Sequence, residues 1–103
     1  KWDVSCVIDM SGMFVIAKSF NQDLSKWVVS RVTDMSEMFR SANSFNQDLS
    51  KWDVSCVTDM ESMFAMATSF RQRLCNAWVN STALKRSMFD HSPGYISNKK
   101  CGA

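Results

Sequence analysis

A spacing of 25 residues constrains this chain more than any other feature. Trp recurs at Trp2, Trp27 and Trp52, and Val at Val4, Val29 and Val54. Met-x-x-Met-Phe recurs at Met10/Met13/Phe14, Met35/Met38/Phe39 and Met60/Met63/Phe64. Phe20, Phe45 and Phe70 follow, then Leu24, Leu49 and Leu74. The nine residues Ser19–Trp27 return unchanged at Ser44–Trp52. Such periodicity is the mark of stacked repeats, in which each unit buries its apolar face against its neighbours. Three copies run without a gap over 1–25, 26–50 and 51–75. A fourth, over 76–95, is degraded. Trp78 arrives one residue late, Met88 and Phe89 are back in frame, and Ser92 and Tyr95 take the Ala and Phe positions. Residues 96–103 leave the pattern and read as a tail or cap.

Within a unit the apolar spacing changes character. From Leu24 it runs Leu24, Trp27, Val29, Val32, Met35, a leucine-rich-repeat-like spacing. Trp27 and Val29 alternate with Lys26, Val28 and Ser30, which predicts a short strand with one buried face. Met35, Met38, Phe39, Ala42 and Phe45 are then spaced as one stripe of a helix. Thr33 or Asp34 is placed to cap it, and Asp34 with Glu37 fits a capping box. Asn46-Gln47-Asp48 is expected to turn the chain back through side chains that bond local backbone. The fold class predicted is α/β: a short solenoid with a parallel sheet and one helix per repeat.

Units such as MFRSANSFNQDLSKWDVSCVTDM resemble the BspA-like leucine-rich-repeat surface proteins, nearly position by position over residues 1–75 and loosely over 76–95. The resemblance implies a right-handed leucine-rich-repeat solenoid. It also implies an extracellular or cell-surface setting and a role in adhesion and protein binding, with no shared catalytic residues.

Composition narrows the function classes. The net charge of +2 is too small for a strong nucleic-acid footprint. The basic surplus is local, from Lys85, Arg86, Lys99 and Lys100 against Asp90. No apolar run has the ~18 residues of a membrane span. The chain opens at Lys1 in mid-pattern, as expected of a fragment or processed form. No cofactor or metal motif is present. His91 stands in series with Asp90 and Ser92, but consecutive side chains diverge and do not make a triad.

Other residue classes have bland readings. The eight Met and the Trp column occupy inward phases, with Met66 the exception, so core packing is expected of them. Trp2 is the tryptophan most exposed to an uncovered first rung. The acidic turn does not extend into a calcium ladder, because its third copy is Arg71-Gln72-Arg73. Cys6 and Cys56 share a phase two rungs apart, about 9–10 Å between Cα atoms, beyond disulfide reach. Cys75 and Cys101 are close to one repeat apart, and a bridge between them would pin the C-terminal end. Asn80-Ser81-Thr82 matches an N-glycosylation acceptor.

The outward strand face is the expected partner site. Its residues are Lys26, Val28 and Ser30, then Lys51, Asp53 and Ser55. Val28, apolar where the other rungs carry Asp, favours contact. The expected function is therefore a non-enzymatic protein-binding module. The alternative is a structural subunit of a larger assembly, docked through an uncapped N-terminal rung.

Overall fold

The computed structural model describes residues 4–97. The 25-residue period is a physical stack. Asp9, Asp34 and Asp59 form parallel bridges in sequence, and Asp59 bridges in turn to Leu84. Phe14, Phe39, Phe64 and Phe89 form one column of rings, with centroids 5.4, 5.4 and 5.6 Å apart and planes within 9°. Phe20, Phe45 and Phe70 form a second column, 5.8 and 6.0 Å apart. Within each rung the two columns touch, as at Phe39–Phe45, 4.2 Å. Met35, Met38, Met60 and Met63 are fully buried around them, as the inward phases require.

The predicted helices are absent. Among the described residues there is no α-helix, and the only helical element is a 3₁₀ turn at Asn76–Trp78. The α/β solenoid with one helix per repeat is therefore corrected to a stack of turn-built rungs. The stripe from Met35 to Phe45 is real, but a chain of tight turns produces the same spacing. Met38 N donates to Met35 O, Arg40 N to Glu37 O, Ala42 N to Phe39 O and Phe45 N to Ala42 O. Each such turn advances three residues, and those ending at Met38, Ala42 and Phe45 return an apolar side chain to the core.

Two facts exclude a helix here. Glu37 and Ser41 have φ of 57° and 59°, and the same two phases are left-handed in every rung. Right-handed helix requires negative φ throughout. The intervening N–H groups also leave the rung. Met35, Glu37, Phe39 and Ser41 donate to the carbonyls of Asp59, Glu61, Met63 and Ala65 at 2.8–2.9 Å. An α-helix, about 10–12 Å across, would keep those bonds to itself and would not fit a stack spaced by touching rings. Asp34 accordingly caps no helix. Its Oδ1 accepts from the backbone N–H and the hydroxyl of Ser36, a local Asx turn.

The strand is displaced as well. Residues 26–30 and 51–55 form no ladder. Turns closed by Trp27 N to Leu24 O and by Val32 N to Val29 O bracket the first segment, and equivalent turns bracket the second. At Asp53 the carboxylate takes the N–H of Ser55, a donor a ladder would need. Among the described residues, regular strand pairing occurs only between β1 (Arg73–Leu74) and β2 (Tyr95–Ile96), which are parallel with Arg73 opposite Tyr95. The fourth rung thus closes early. Tyr95 does not take the Phe position but is exposed, and Gly94 lies against Phe70 instead. A Cβ at Gly94 would fall 2.4 Å from Phe70 Cδ2, and Phe70 is held between Phe45 and Phe64. We expect Gly94→Ala to destabilise the fold by about 1–3 kcal/mol through overpacking, measured by urea unfolding.

Left-handed backbone suits glycine, and Gly12 (φ 64°) fits its site. Ile16 does not. It is β-branched, has φ of 58°, and is 61% exposed. Ile16→Gly should therefore stabilise the protein by about 1 kcal/mol, raising Tm by roughly 4–8 °C. An unchanged or lowered Tm would show that Ile16 makes an offsetting contact.

The Asn-Gln row does more than turn the chain. Asn21 Oδ1 accepts from Asn46 N at 2.8 Å and from Gln47 Nε2 at 3.0 Å. Asn46 Oδ1 accepts from Arg71 N and Gln72 Nε2, both at 2.9 Å. Only the third member of the triplet works locally, with Asp23 and Asp48 accepting from Ser25 and Ser50. Tryptophan also crosses between rungs: Trp52 Nε1 donates to Leu24 O and Trp78 Nε1 to Leu49 O, each at 2.9 Å.

Candidate functional site

The buried and exposed alternation along residues 26–30 and 51–55 is kept although the strand is absent, because that alternation is local. Trp52 and Val54 are buried, and Lys51, Asp53 and Ser55 are exposed. One rung earlier Val29 is buried and Trp27 half-buried, with Lys26 and Val28 exposed and Ser30 half-buried. A hydrogen-bonded turn closes each end of both segments.

The two rungs differ chemically at one point. Asp53 Oδ1 accepts from Ser55 N at 3.1 Å and from Ser55 Oγ at 2.6 Å. The pair is thus engaged with itself. In the rung before, Val28 cannot accept those bonds, and it stands 53% exposed between Lys26 and Arg31. An exposed apolar side chain where the next rung carries an Asp is the distinctive point of this surface.

The same Asx motif tunes carboxylates at three places. The Ser55 hydroxyl, followed by its N–H, holds Asp53 below the ordinary carboxylate value of 3.8. The hydroxyl and N–H of Ser11 do the same for Asp9. The N–H of Ser25, then its hydroxyl, lower Asp23. A carboxylate with a depressed folded pKa favours folding above its unfolded pKa, and that contribution fades as pH falls through the folded value. The loss window here lies below 3.8. Acid titration of Tm should therefore show a decline below about pH 4, and Asp53→Asn should make it shallower.

Remaining sequence candidates fall apart in space. His91 is exposed, in left-handed backbone, and no hydrogen bond joins it to Asp90 or Ser92. No group of three or more His, Cys, Asp or Glu able to hold a metal occurs among the described residues. Cys6 and Cys56 are exposed free thiols. Cys75 is buried and disulfide-bonded. Cys101, its expected partner, lies outside the described residues, as do Trp2, Lys1 and Asp3. Asn80 is exposed on the inserted segment after the 3₁₀ turn. Among the described residues no helix is long and apolar enough to cross a membrane.

One feature was not anticipated from the spacing. Phe14, Phe20, Leu24 and Trp27, with Gln22, Asp23 and Lys26, line a cavity of about 650 Å³ at the first rung.

Rungs of 25 residues and columns of stacked aromatics define a stacked repeat protein. More particularly, the chain belongs to the family described as Mycoplasma protein of unknown function, DUF285, whose model matches residues 1–100. No curated protein and no solved structure matches it.

Proposed function

We propose that this chain is a non-enzymatic protein-binding repeat module, working in surface adhesion or interaction, that contacts its partner through Lys26, Val28, Ser30, Lys51, Asp53 and Ser55. The observation that carries this reading is Val28, an exposed apolar residue where the next rung holds a self-satisfied Asp–Ser pair. Interfaces concentrate their energy in an apolar centre, and the charged rim sets register and association rate. The resemblance of the repeat motif to BspA-like surface proteins supports the adhesive role and an extracellular or cell-surface location.

The test is cross-linking capture from extracts of the source cells, comparing wild type with Val28→Asp and with Lys26→Glu/Asp53→Lys. We expect at least about tenfold less captured partner with each variant, at unchanged Tm. Equal capture by all three proteins removes this surface from the reading. A structural subunit within a larger assembly is the second reading, favoured by the exposed Met13 and the cavity beside Phe14.

A further inference from the structure

One turn recurs at the same phase in three successive rungs. Val7 N donates to Val4 O at 3.0 Å, Val32 N to Val29 O at 3.0 Å and Val57 N to Val54 O at 3.1 Å. The third position of this turn is held by Cys6, Arg31 and Cys56. All three are exposed, and both thiols are free. Arg31 and Cys56 each have a described rung on either side and are still exposed. The position therefore points sideways from the stack and not along it, so its exposure is set by the turn.

The column reads thiol, guanidinium, thiol. Rungs are 5.4 Å apart along Phe14, Phe39 and Phe64, so Arg31 stands one rung from each cysteine. Two such rungs exceed the ~7 Å between Cα atoms that a disulfide spans, so Cys6 and Cys56 do not close on each other. Arg31 also lacks a carboxylate. Among the described residues neither ion pair includes it, and Val28 stands in its rung where Asp53 stands in the next. Asp53 is itself taken up by the N–H and hydroxyl of Ser55. A guanidinium with its fork of donors free is left to receive an anion from outside, with a nucleophile in the rung above and the rung below.

We propose that Cys56 and Cys6 are sites of mixed-disulfide formation with small disulfides that carry carboxylates, selected by Arg31 between them. The cysteine Sγ, as thiolate, attacks one sulfur of the incoming disulfide. A bond forms between Sγ and that sulfur, the incoming S–S bond breaks, and the proton lost from the cysteine ends on the departing thiol. The cysteine sulfur is oxidised and the departing sulfur reduced, so the exchange balances without another oxidant. With the second thiol out of reach, no free thiol of the turn column displaces the adduct. Cys75 is buried and already bridged, and takes no part. The inference does not rest on what binds the face around Val28.

The experiment is intact-mass spectrometry of the folded chain during reaction with oxidised glutathione, an anionic disulfide, and with cystamine, a cationic one. The quantity read is the ratio of the two rates, because both reagents meet the same thiolate and its own reactivity cancels. With oxidised glutathione, both Cys6 and Cys56 should be modified in the wild type, Cys56 alone in Cys6→Ser, and neither in Cys6→Ser/Cys56→Ser. At low ionic strength Arg31→Glu should lower the glutathione-to-cystamine ratio at least about tenfold, and about 1 M salt should largely erase that difference. Arg31→Gln, which removes the charge without reversing it, should fall between. A Cys6→Ser chain that takes up no glutathione overturns the proposal. So does a ratio that both Arg31 variants leave unchanged, or loss of both adducts to a Cys6–Cys56 bridge.

Discussion

Phe39→Ala is expected to lose about 3–5 kcal/mol of stability, measured as a shift in the urea midpoint at constant m. Phe39 is fully buried and touches four other rings, as Phe64 does. It lies 5.4 Å from both Phe14 and Phe64, 4.2 Å from Phe45, and tilted at 6.4 Å on Trp52. Its removal leaves a void in the middle of a column whose backbone is pinned by Phe39 N to Met63 O, so the walls cannot collapse to fill it. Domains of this size have only about 5–15 kcal/mol in total, so the variant should sit near the edge of folding at 37 °C. Phe20→Ala is the comparison. Phe20 is half-buried at the end of its column, and its loss should be distinctly smaller. Equal effects at both positions would show that the columns do not act as continuous units.

Trp52→Phe should cost about 1–3 kcal/mol, and Trp52→Ala more, about 3–5 kcal/mol. The first change keeps an aromatic ring against Phe39 but removes the indole N–H that serves Leu24 O at 2.9 Å in a buried setting. An acceptor left without its donor away from water carries the larger share of that loss. Thermal unfolding of the two variants separates the hydrogen bond from the packing. If Trp52→Phe unfolds at the wild-type Tm, the inter-rung indole bond contributes nothing to the stack.

Both predictions rest on contacts between rungs, and those are unevenly legible in the chain itself. The Met and Phe phases identify the core correctly because burial depends on which residues recur, not on the backbone that delivers them. The outward face at Lys26, Val28, Lys51 and Asp53 is legible for the same reason: a two-residue alternation points side chains in opposite directions whether or not the segment pairs as a strand. The absence of a helix is not legible in those phases because spacings of three to four residues serve two conformations equally. A helix satisfies its N–H groups internally, whereas a run of tight turns gives every second one to the next rung. Within one repeat nothing separates the two. The signals that existed were small. One was Gly12 at a phase held elsewhere by Glu37, Ser62 and Ser87, all left-handed. Another was the recurrence of Asn at Asn21 and Asn46, where an inter-rung bond needs a short amide.

By itself, the sequence determined that the chain repeats every 25 residues, that Phe, Met, Trp and Leu at fixed phases form its interior, and that the fourth copy departs from the others. These follow from recurrence, which requires each rung to solve one packing problem. Only the tertiary structure decided how the backbone between those phases is satisfied, and therefore that the rungs are turns and that Asn21 and Trp52 bond across them. The reason is physical. A backbone N–H is the same in every residue, so its partner is chosen by the neighbour that comes within reach once the rungs are stacked.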